Sequence, residues 1–217
     1  MTGLQQTVAL CLAFIAVVVG LFVYSVTRTP VLSDEQLREQ GVFLLPTPRE
    51  IAPFALESHT GAPFSVDNLV GRWTFAFFGF TNCPDICPTS MAVMGQACRT
   101  LGERGDESAF QGLLVSVDPE RDDAETLGLY ATAFAPDFLG VRGSREAVAG
   151  FAEQVNATFA KVPGRNAEGE LDGENYLVDH TANIVIINPR GHYHGFIKYP
   201  QQADTIVAAF QTLAANF

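Results

Sequence analysis

Basic residues are scarce in this 217-residue chain, which has 13 lysines and arginines against 24 acidic residues and a net charge of −11. Phosphate groups repel a protein of this charge, so the composition argues against nucleic-acid binding. Cysteine is also scarce, and four residues are too few for a disulfide-based scaffold of this length. The sequence has no internal repeat and no low-complexity tract. What is left is an acidic chain whose hydrophobic residues, 47% of the total, suffice for a sizeable core.

Charge is missing altogether from Val8 to Val26. The run is close to the roughly 20 apolar residues that a helix needs to cross a bilayer, so it predicts a transmembrane helix over about residues 8–26. A cleaved signal peptide is the alternative, but its apolar core is usually about 7–15 residues long, and we find no convincing cleavage site after Val26. Cys11 follows a leucine, which makes a poor lipoprotein motif, so we interpret it as a residue of the membrane helix.

Lysine and arginine are also missing before this helix, whereas Arg28 follows it. The positive-inside rule therefore gives no support for a C-terminal domain outside the cytoplasm. We nevertheless expect that orientation, for chemical reasons given below. Residues 1–28 are predicted to form a membrane anchor.

The segment after the anchor is polar and then rich in proline. The capping-box spacing of Ser33 and Gln36 predicts a short helix through Gln40, with Gly41 able to end it. Three prolines between Pro46 and Pro53 predict a tether. We therefore expect a linker over residues 29–50 and a folded domain over residues 51–217.

Strands and helices alternate along the domain, which predicts an α/β fold with a sheet covered on both faces by helices. A polar, glycine-rich stretch from Pro163 to Glu174 predicts an exposed loop or hairpin. The strands are predicted at residues 54–57 and 64–66 (a hairpin), 73–80, 112–117, 183–188 and 193–197, with a short unassigned piece at residues 138–139. The helices are predicted at residues 89–102, 124–134, 144–155 and 203–216.

The apolar run from Phe75 to Phe80 predicts a buried strand that leads directly into two cysteines, Cys83 and Cys87. At positions i and i+4 of a helical turn both sulfurs point the same way, so they could chelate one ion or form a disulfide. Pro84 and Pro88 suit the first turn, where the helix dipole favours the thiolate form. A strand followed by cysteines at a helix start is a thioredoxin-like arrangement, here with three residues between the cysteines instead of two.

His180 is the candidate for a third group at this site. It precedes the predicted strand at residues 183–188, and the loop entering that strand of a thioredoxin-like sheet passes over the cysteines. Two thiolates and an imidazole suit copper(I) in a three-coordinate site. Zinc with a water as fourth ligand could use the same donors. A histidine on a surface loop is the alternative interpretation of His180.

Asp118 ends the strand that neighbours the cysteine strand, and sites in open α/β sheets gather at the carboxyl ends of strands. Asp118 could orient a ligand without itself touching the ion, or it could face a partner protein. Alternatively, it could form the turn or the helix cap before Pro119. We interpret the rest of the run from Glu120 to Glu125 as a solvated helix start.

The other histidines and Cys98 have structural interpretations. His192 and His194 would share one face of a strand and are expected on a solvated surface, although such a pair can bind metal. His59 lies in a predicted turn and is expected to be structural or to face solvent. Cys98 lies eleven residues after Cys87, on a rotated face of the same helix, and is expected to pack in the core.

Three motifs in this order behind one membrane span, GFTNCPDICP, SVDPERD and DHTAN, resemble the Sco/SenC family of copper-binding proteins over about residues 45–215. The resemblance implies a thioredoxin-like fold with a central mixed sheet and copper bound by Cys83, Cys87 and His180, as copper(I) or also copper(II). Asn82 departs from the family, since many relatives carry a histidine before the first cysteine, which puts any auxiliary metal role there in doubt.

The resemblance also implies a role in maturing the dinuclear copper centre of cytochrome c oxidase. The expected partners are the copper-bearing oxidase subunit and other periplasmic copper chaperones. The expected location is the cytoplasmic membrane, with the domain facing the periplasm or an equivalent space, since copper enters the oxidase from that side.

Two functions follow from the dithiol. The first is a metallochaperone that passes copper on by ligand exchange. The second is a thiol-disulfide reductase acting on cysteines of an oxidase subunit or of another chaperone. A peroxiredoxin-like peroxidase is disfavoured because no arginine lies between Phe75 and Ala97 to activate peroxide.

Overall fold

The computed structural model describes residues 3–27, 31–106, 109–165 and 171–217. The chain divides between Val31 and Leu32 into two compact units. The described residues of the first unit form one helix, α1 (Gly3–Thr27), which includes the predicted apolar span. Its stretch Gln5–Phe22 has a mean hydropathy of 2.1, and among the described helices α1 alone is long and apolar enough to cross a membrane. α1 is therefore a candidate transmembrane span.

The second unit contains the other described elements. Its helices are α2 (Asp34–Glu39), α3 (Ile86–Glu103), α4 (Ala124–Thr132), α5 (Arg145–Gln154), α6 (Ala203–Asn216) and a short 3-10 helix (Val66–Leu69). Its strands are β1 (Val42–Glu50), β2 (Leu56–Ser58), β3 (Pro63–Phe64), β4 (Trp73–Gly79), β5 (Phe110–Ser116), β6 (Leu139–Arg142), β7 (Phe159–Arg165), β8 (Leu171–His180), β9 (Ile184–Ile187) and β10 (His192–Ile197). The predicted alternation of strands and helices is confirmed.

Eight strands form one mixed sheet in the order β1-β10-β9-β4-β5-β6-β2-β3. β4 lies at its centre, parallel to β5 and antiparallel to β9. Every residue of β4, β5 and β9 is buried, as expected for strands covered on both faces. Because β4 and β5 are parallel, the residues that follow them meet at one edge of the sheet, and those residues include the first cysteine and Asp118.

The start of the second unit corrects one prediction. The capping box at Ser33 is confirmed, since its hydroxyl accepts the Gln36 N–H at 3.3 Å and the Gln36 side chain accepts the Ser33 N–H at 2.9 Å. The tether predicted from Pro46 to Pro53 is wrong over β1, which pairs antiparallel with β10 at the edge of the main sheet. Residues 42–50 are therefore part of the folded unit and not of a linker.

Pro46 and Pro48 fit into β1 because an edge strand donates hydrogen bonds on one side only. The register of β1 against β10 shifts between Leu44 and Arg49, where both prolines lie. Phe43 stacks on Phe196 of β10 with ring centroids 5.2 Å apart. Packing on the sheet thus overrides the local signal of the prolines.

The hairpin alternative for the stretch from Pro163 to Glu174 is confirmed. β7 and β8 form a separate two-stranded antiparallel sheet in which Phe159 pairs with His180 and Arg165 with Leu171. Part of the predicted stretch, residues 166–170, lies outside the described residues. β8 continues to His180, so this histidine ends a strand of the hairpin.

Candidate metal centre

Cys83 lies in the turn between β4 and α3, and Cys87 lies in the first turn of α3, which begins at Ile86. The prediction that both cysteines belong to one helical turn is therefore correct only for Cys87. The two sulfurs still lie within 4.8 Å of each other, and Cys83 Sγ accepts the backbone N–H of Cys87 at 3.4 Å. Asp85, the residue at the N-cap, makes no side-chain hydrogen bond to the helix. The Cys83 sulfur thus satisfies a backbone donor at the helix start, in the manner of a capping group.

Gly79 at the end of β4 allows Cys87 to approach the strand closely. A β-carbon at residue 79 would lie 2.9 Å from Cys87 Sγ and 2.8 Å from the ring of Phe77. Any side chain here would displace the sulfur or the ring. Gly79 is therefore required by space, since its backbone does not have a positive φ angle.

His180 reaches the cysteines from the end of β8. Its Nε2 lies 3.4 Å from Cys87 Sγ, and its Nδ1 lies 3.2 Å from the carbonyl oxygen of Thr181. A carbonyl can only accept, so the proton resides on Nδ1 and the lone pair of Nε2 points at the sulfur. The rings of Phe77 and Phe80 contact the imidazole edge-on, with centroids 5.7 and 5.8 Å away.

The three donor atoms of Cys83, Cys87 and His180 all lie within 4.8 Å of one another. Cys87 is buried, whereas Cys83 and His180 are partly exposed. A cavity of about 270 Å³ opens beside His180, between the start of β7 and the end of β8. The arrangement can hold one ion between two sulfurs and a nitrogen, with access from the side of Cys83 and His180.

Burial, reinforced by the hydrogen bond with Cys83, raises the pKa of the Cys87 thiol far above its ordinary range. Burial also lowers the pKa of His180. Without a metal, the site therefore holds a neutral thiol and a neutral imidazole at neutral pH. The predicted preference for thiolate at the helix start is wrong for Cys87, because desolvation outweighs the helix dipole there. A bound cation would reverse this balance by displacing the thiol proton.

Asp118 is fully buried. It does not cap α4, because the N-cap residue of that helix is Asp123. Its carboxylate forms an ion pair with Arg121 and accepts the hydroxyl of Tyr176 at 2.7 Å. Tyr176 belongs to β8, the strand that ends at His180. Asp118 thus contacts the element that carries the imidazole.

Asp122 is the functional candidate that the sequence interpretation missed. The interpretation of the run from Glu120 to Glu125 as solvated is wrong for Asp122, which is fully buried. Its carboxylate accepts the hydroxyls of Thr81 and Ser116, each at 2.6 Å. A usable signal existed, because Thr81 and Ser116 are hydroxyl residues at the carboxyl ends of adjacent parallel strands, where a nearby acid would find partners.

The remaining candidates lie outside the three-donor group. His59 Nδ1 accepts the backbone N–H of Gly140 at 3.1 Å, which confirms a structural role. His194 packs edge-on against Trp73 at 5.1 Å and is partly buried, so the expectation of a solvated surface is wrong for it. Cys98 packs against the core, as predicted.

Tyr130 of α4 has a buried hydroxyl with no hydrogen-bond partner among the described residues. Leaving such a group unsatisfied costs about 1–3 kcal/mol. We expect Tyr130→Phe to raise the free energy of unfolding by about 1 kcal/mol and the melting temperature by roughly 2–4 °C. Thermal and urea denaturation measure both quantities. Tyr176→Phe is the matched comparison and should be destabilising, because its hydroxyl is bonded to Asp118; a loss of stability in Tyr130→Phe would contradict the assignment.

Comparison with known proteins places this geometry in a family. A sequence profile described as SCO1/SenC matches residues 45–215. A protein from Stutzerimonas stutzeri is 34% identical over 180 residues, covering 83% of this chain and 84% of that protein. The human protein SCO1 homolog, mitochondrial, is 32% identical over 160 residues, covering 74% of this chain but only 51% of the human protein.

The fold agrees with this match. The crystal structure of yeast Sco1 with copper bound superposes with a TM-score of 0.69 at 29% identity, covering 78% of this chain and 91% of the yeast chain. The predicted thioredoxin-like fold, a mixed sheet flanked by helices, is thereby confirmed. The sequence match over most of the second unit and the structural match over 78% of the chain lead to one conclusion: the chain belongs to the SCO1/SenC family.

Proposed function

We propose that this protein is a membrane-anchored copper metallochaperone that carries one copper ion on Cys83, Cys87 and His180. The observation that carries the proposal is the convergence of two sulfurs and an imidazole nitrogen within 4.8 Å of one another. Related proteins from yeast and Arabidopsis thaliana have been crystallised with copper bound. The same cargo is proposed here on the strength of the donor set.

The donors favour copper(I) over harder ions. Two sulfurs and one imidazole are soft-to-borderline ligands, and three of them suit the low coordination number of copper(I). Loading requires both thiols to lose their protons, so uptake releases protons and weakens as pH falls. The hydrogen bond from Nδ1 to Thr181 fixes the imidazole with Nε2 directed at the ion.

Transfer to a partner is proposed to proceed by ligand exchange from the exposed side of the site. Cys83 is partly exposed and Cys87 is buried, so an incoming thiolate meets the ion beside Cys83. A three-ligand site accepts a fourth donor without unfolding. Release can then follow by stepwise loss of His180, Cys83 and finally Cys87, each replaced on the ion by a donor of the partner.

The recipient and the location follow from the family resemblance. The proposed recipient is the copper-bearing subunit of cytochrome c oxidase, whose dinuclear copper centre is matured with the help of other periplasmic copper chaperones. α1 would anchor the protein in the cytoplasmic membrane, with the copper-binding domain on the periplasmic side or in an equivalent space. If a variant whose copper-binding domain is held in the cytoplasm still supported oxidase assembly, this orientation would be wrong.

A thiol-disulfide reductase is the second candidate, favoured by the closeness of the two sulfurs, which lie within 4.8 Å of each other, and by the contact between Cys83 Sγ and the Cys87 backbone. Cys83 as thiolate would attack a disulfide of the partner and release one partner thiolate. Cys87 would then attack the mixed disulfide, freeing the second partner thiolate and leaving Cys83 and Cys87 oxidised. The two electrons gained by the partner come from this pair.

The proposal is tested by anaerobic titration of the full chain in detergent with copper(I), using a chromophoric chelator as competitor. We expect saturation at one copper per chain, with Cys83 and Cys87 protected from alkylation in the loaded protein. Zinc should bind more weakly and be displaced by copper(I). Failure to saturate, or tight zinc binding that copper(I) does not displace, would refute the metallochaperone proposal.

A further inference from the structure

One short segment, residues 116–122 between β5 and α4, contacts both parts of the chain that bring donors to the site. Towards one side it meets the turn that carries Cys83. Towards the other side it meets β8, which carries His180. The two contacts are made by two fully buried carboxylates, Asp122 and Asp118.

Asp122 holds the cysteine turn through Thr81, two residues before Cys83. Its carboxylate accepts the Thr81 backbone N–H at 3.2 Å, the Thr81 hydroxyl at 2.6 Å and the Ser116 hydroxyl at 2.6 Å. Breaking a hydrogen bond so that a buried polar group is left without a partner is costly, so these bonds tie Thr81 to Asp122. The next link is within the turn itself, where the Cys83 N–H donates to the carbonyl of Phe80 at 3.3 Å. The position of Cys83 is therefore fixed at the start of its turn by Asp122.

Asp118 holds the histidine strand through Tyr176, four residues before His180. The Tyr176 hydroxyl donates to Asp118 at 2.7 Å, and Arg121, paired with Asp118, donates to the Tyr176 carbonyl at 3.1 Å. The guanidinium of Arg121 also lies 3.9 Å from the centroid of the Tyr176 ring. Tyr176 is thus held by its hydroxyl, its ring and its backbone.

The outer contacts of the same hairpin are weaker. Glu120 pairs with Lys161 and Arg145, and these partners lower the pKa of Glu120 to about 2. Half of the Glu120 side chain is exposed, however, and exposed ion pairs contribute little. The buried contacts of Asp118 therefore dominate the position of β8 near the site.

We propose that Asp122 and Asp118 are separate positioning residues for the two halves of the donor set, Asp122 for Cys83 and Asp118 for His180. The inference rests on the proposed copper site for its purpose. Neither carboxylate is assigned as a ligand, since their oxygens are occupied by Thr81, Ser116, Arg121 and Tyr176. The segment 116–122 thereby sets the spacing between sulfur and imidazole.

Thr81→Val and Thr81→Ser form the test of the Asp122 arm. Valine has the shape of threonine without its hydroxyl, whereas serine keeps the hydroxyl. We expect Thr81→Val to weaken copper(I) binding about 10-fold or more. In the metal-free protein it should also raise the alkylation rate of Cys83 several-fold, measured residue by residue by mass spectrometry. Thr81→Ser should restore both quantities most of the way to wild type.

Tyr176→Phe tests the Asp118 arm. It removes one hydroxyl, so we expect weaker copper(I) binding with no change in the alkylation rate of metal-free Cys83. Both variants should therefore bind copper(I) more weakly, but only Thr81→Val should change the alkylation rate of Cys83. Thr132→Val serves as the matched control, because the Thr132 hydroxyl donates to the Gly128 carbonyl within α4, at 2.7 Å. It should leave affinity and alkylation unchanged, and thermal denaturation records any general loss of stability.

Equal effects of Thr81→Val and Thr81→Ser, or an unchanged Cys83 alkylation rate in Thr81→Val, would overturn the Asp122 assignment. Unchanged affinity in Tyr176→Phe would overturn the Asp118 assignment. If wild type fails to bind copper(I), the metallochaperone proposal fails by itself. The alkylation rates of the metal-free proteins still decide whether Asp122 positions Cys83.

Discussion

Cys83→Ser and Cys87→Ser should each abolish copper(I) binding and the dithiol cycle. A serine hydroxyl is a hard, protonated donor that cannot replace a thiolate on copper(I), and a single remaining thiol cannot form the intramolecular disulfide. Loss of a direct ligand should cost more than loss of an outer partner, so we expect the affinity to fall by more than about 100-fold. Competition with a chromophoric copper(I) chelator measures the affinity, and thiol counting after oxidation measures the cycle.

Folding must be separated from binding in this experiment, above all for the buried Cys87. Serine is close to cysteine in size, and His180 Nε2, at 3.4 Å from the present sulfur, can accept its hydroxyl proton. We therefore expect a stability change of about 1 kcal/mol, small enough to leave the domain folded. Cys98→Ser is the control, since Cys98 packs against the core elsewhere on α3; it should keep full copper stoichiometry. Full assembly of active oxidase with either Cys83→Ser or Cys87→Ser would remove the basis of both proposed functions.

The fold could be predicted where burial and local pattern agree. β9 is a continuous apolar run in the sequence, β4 is apolar except at Thr74, and both are buried along their whole length, so pattern and position coincide. β1 could not be predicted because its two prolines locally favour an extended tether. Its place in the sheet depends on an exposed edge and on pairing with β10, which lies about 150 residues later in the chain. No local sequence pattern predicts a pairing between segments so far apart.

The candidate site could be predicted only in part, for a similar reason. The cysteines follow a buried strand, and the family motifs add His180. The protonation of Cys87 could not be predicted, because it depends on how deeply the sulfur is buried beside Gly79. Asp122 was missed because an acid in the run from Glu120 to Glu125 resembles a solvated residue until the fold places Thr81 and Ser116 around it. Tyr176 follows the polar stretch from Pro163 to Glu174, and no local sequence pattern indicates its contact with Asp118.

His180→Ala should separate the two proposed functions. It removes the nitrogen ligand and leaves two sulfurs, so we expect the copper(I) affinity to fall by more than about 100-fold, beyond the cost of losing an outer partner. The dithiol should still cycle, because Cys83 and Cys87 are untouched. Removing the contact between Nε2 and Cys87 should shift the midpoint of the thiol-disulfide couple by no more than about 30 mV, the equivalent of one ordinary hydrogen bond.

The measurement pairs copper(I) competition with a redox titration against a glutathione or dithiothreitol buffer. His192→Ala is the matched control, since His192 lies in β10, outside the three-donor group; it should match wild type in both assays. A His180→Ala variant that binds one copper per chain with wild-type affinity and spectrum would refute the ligand assignment. If that variant lost copper binding yet supported oxidase assembly fully, the reductase would be the function that the oxidase requires, because the sulfurs alone would then suffice.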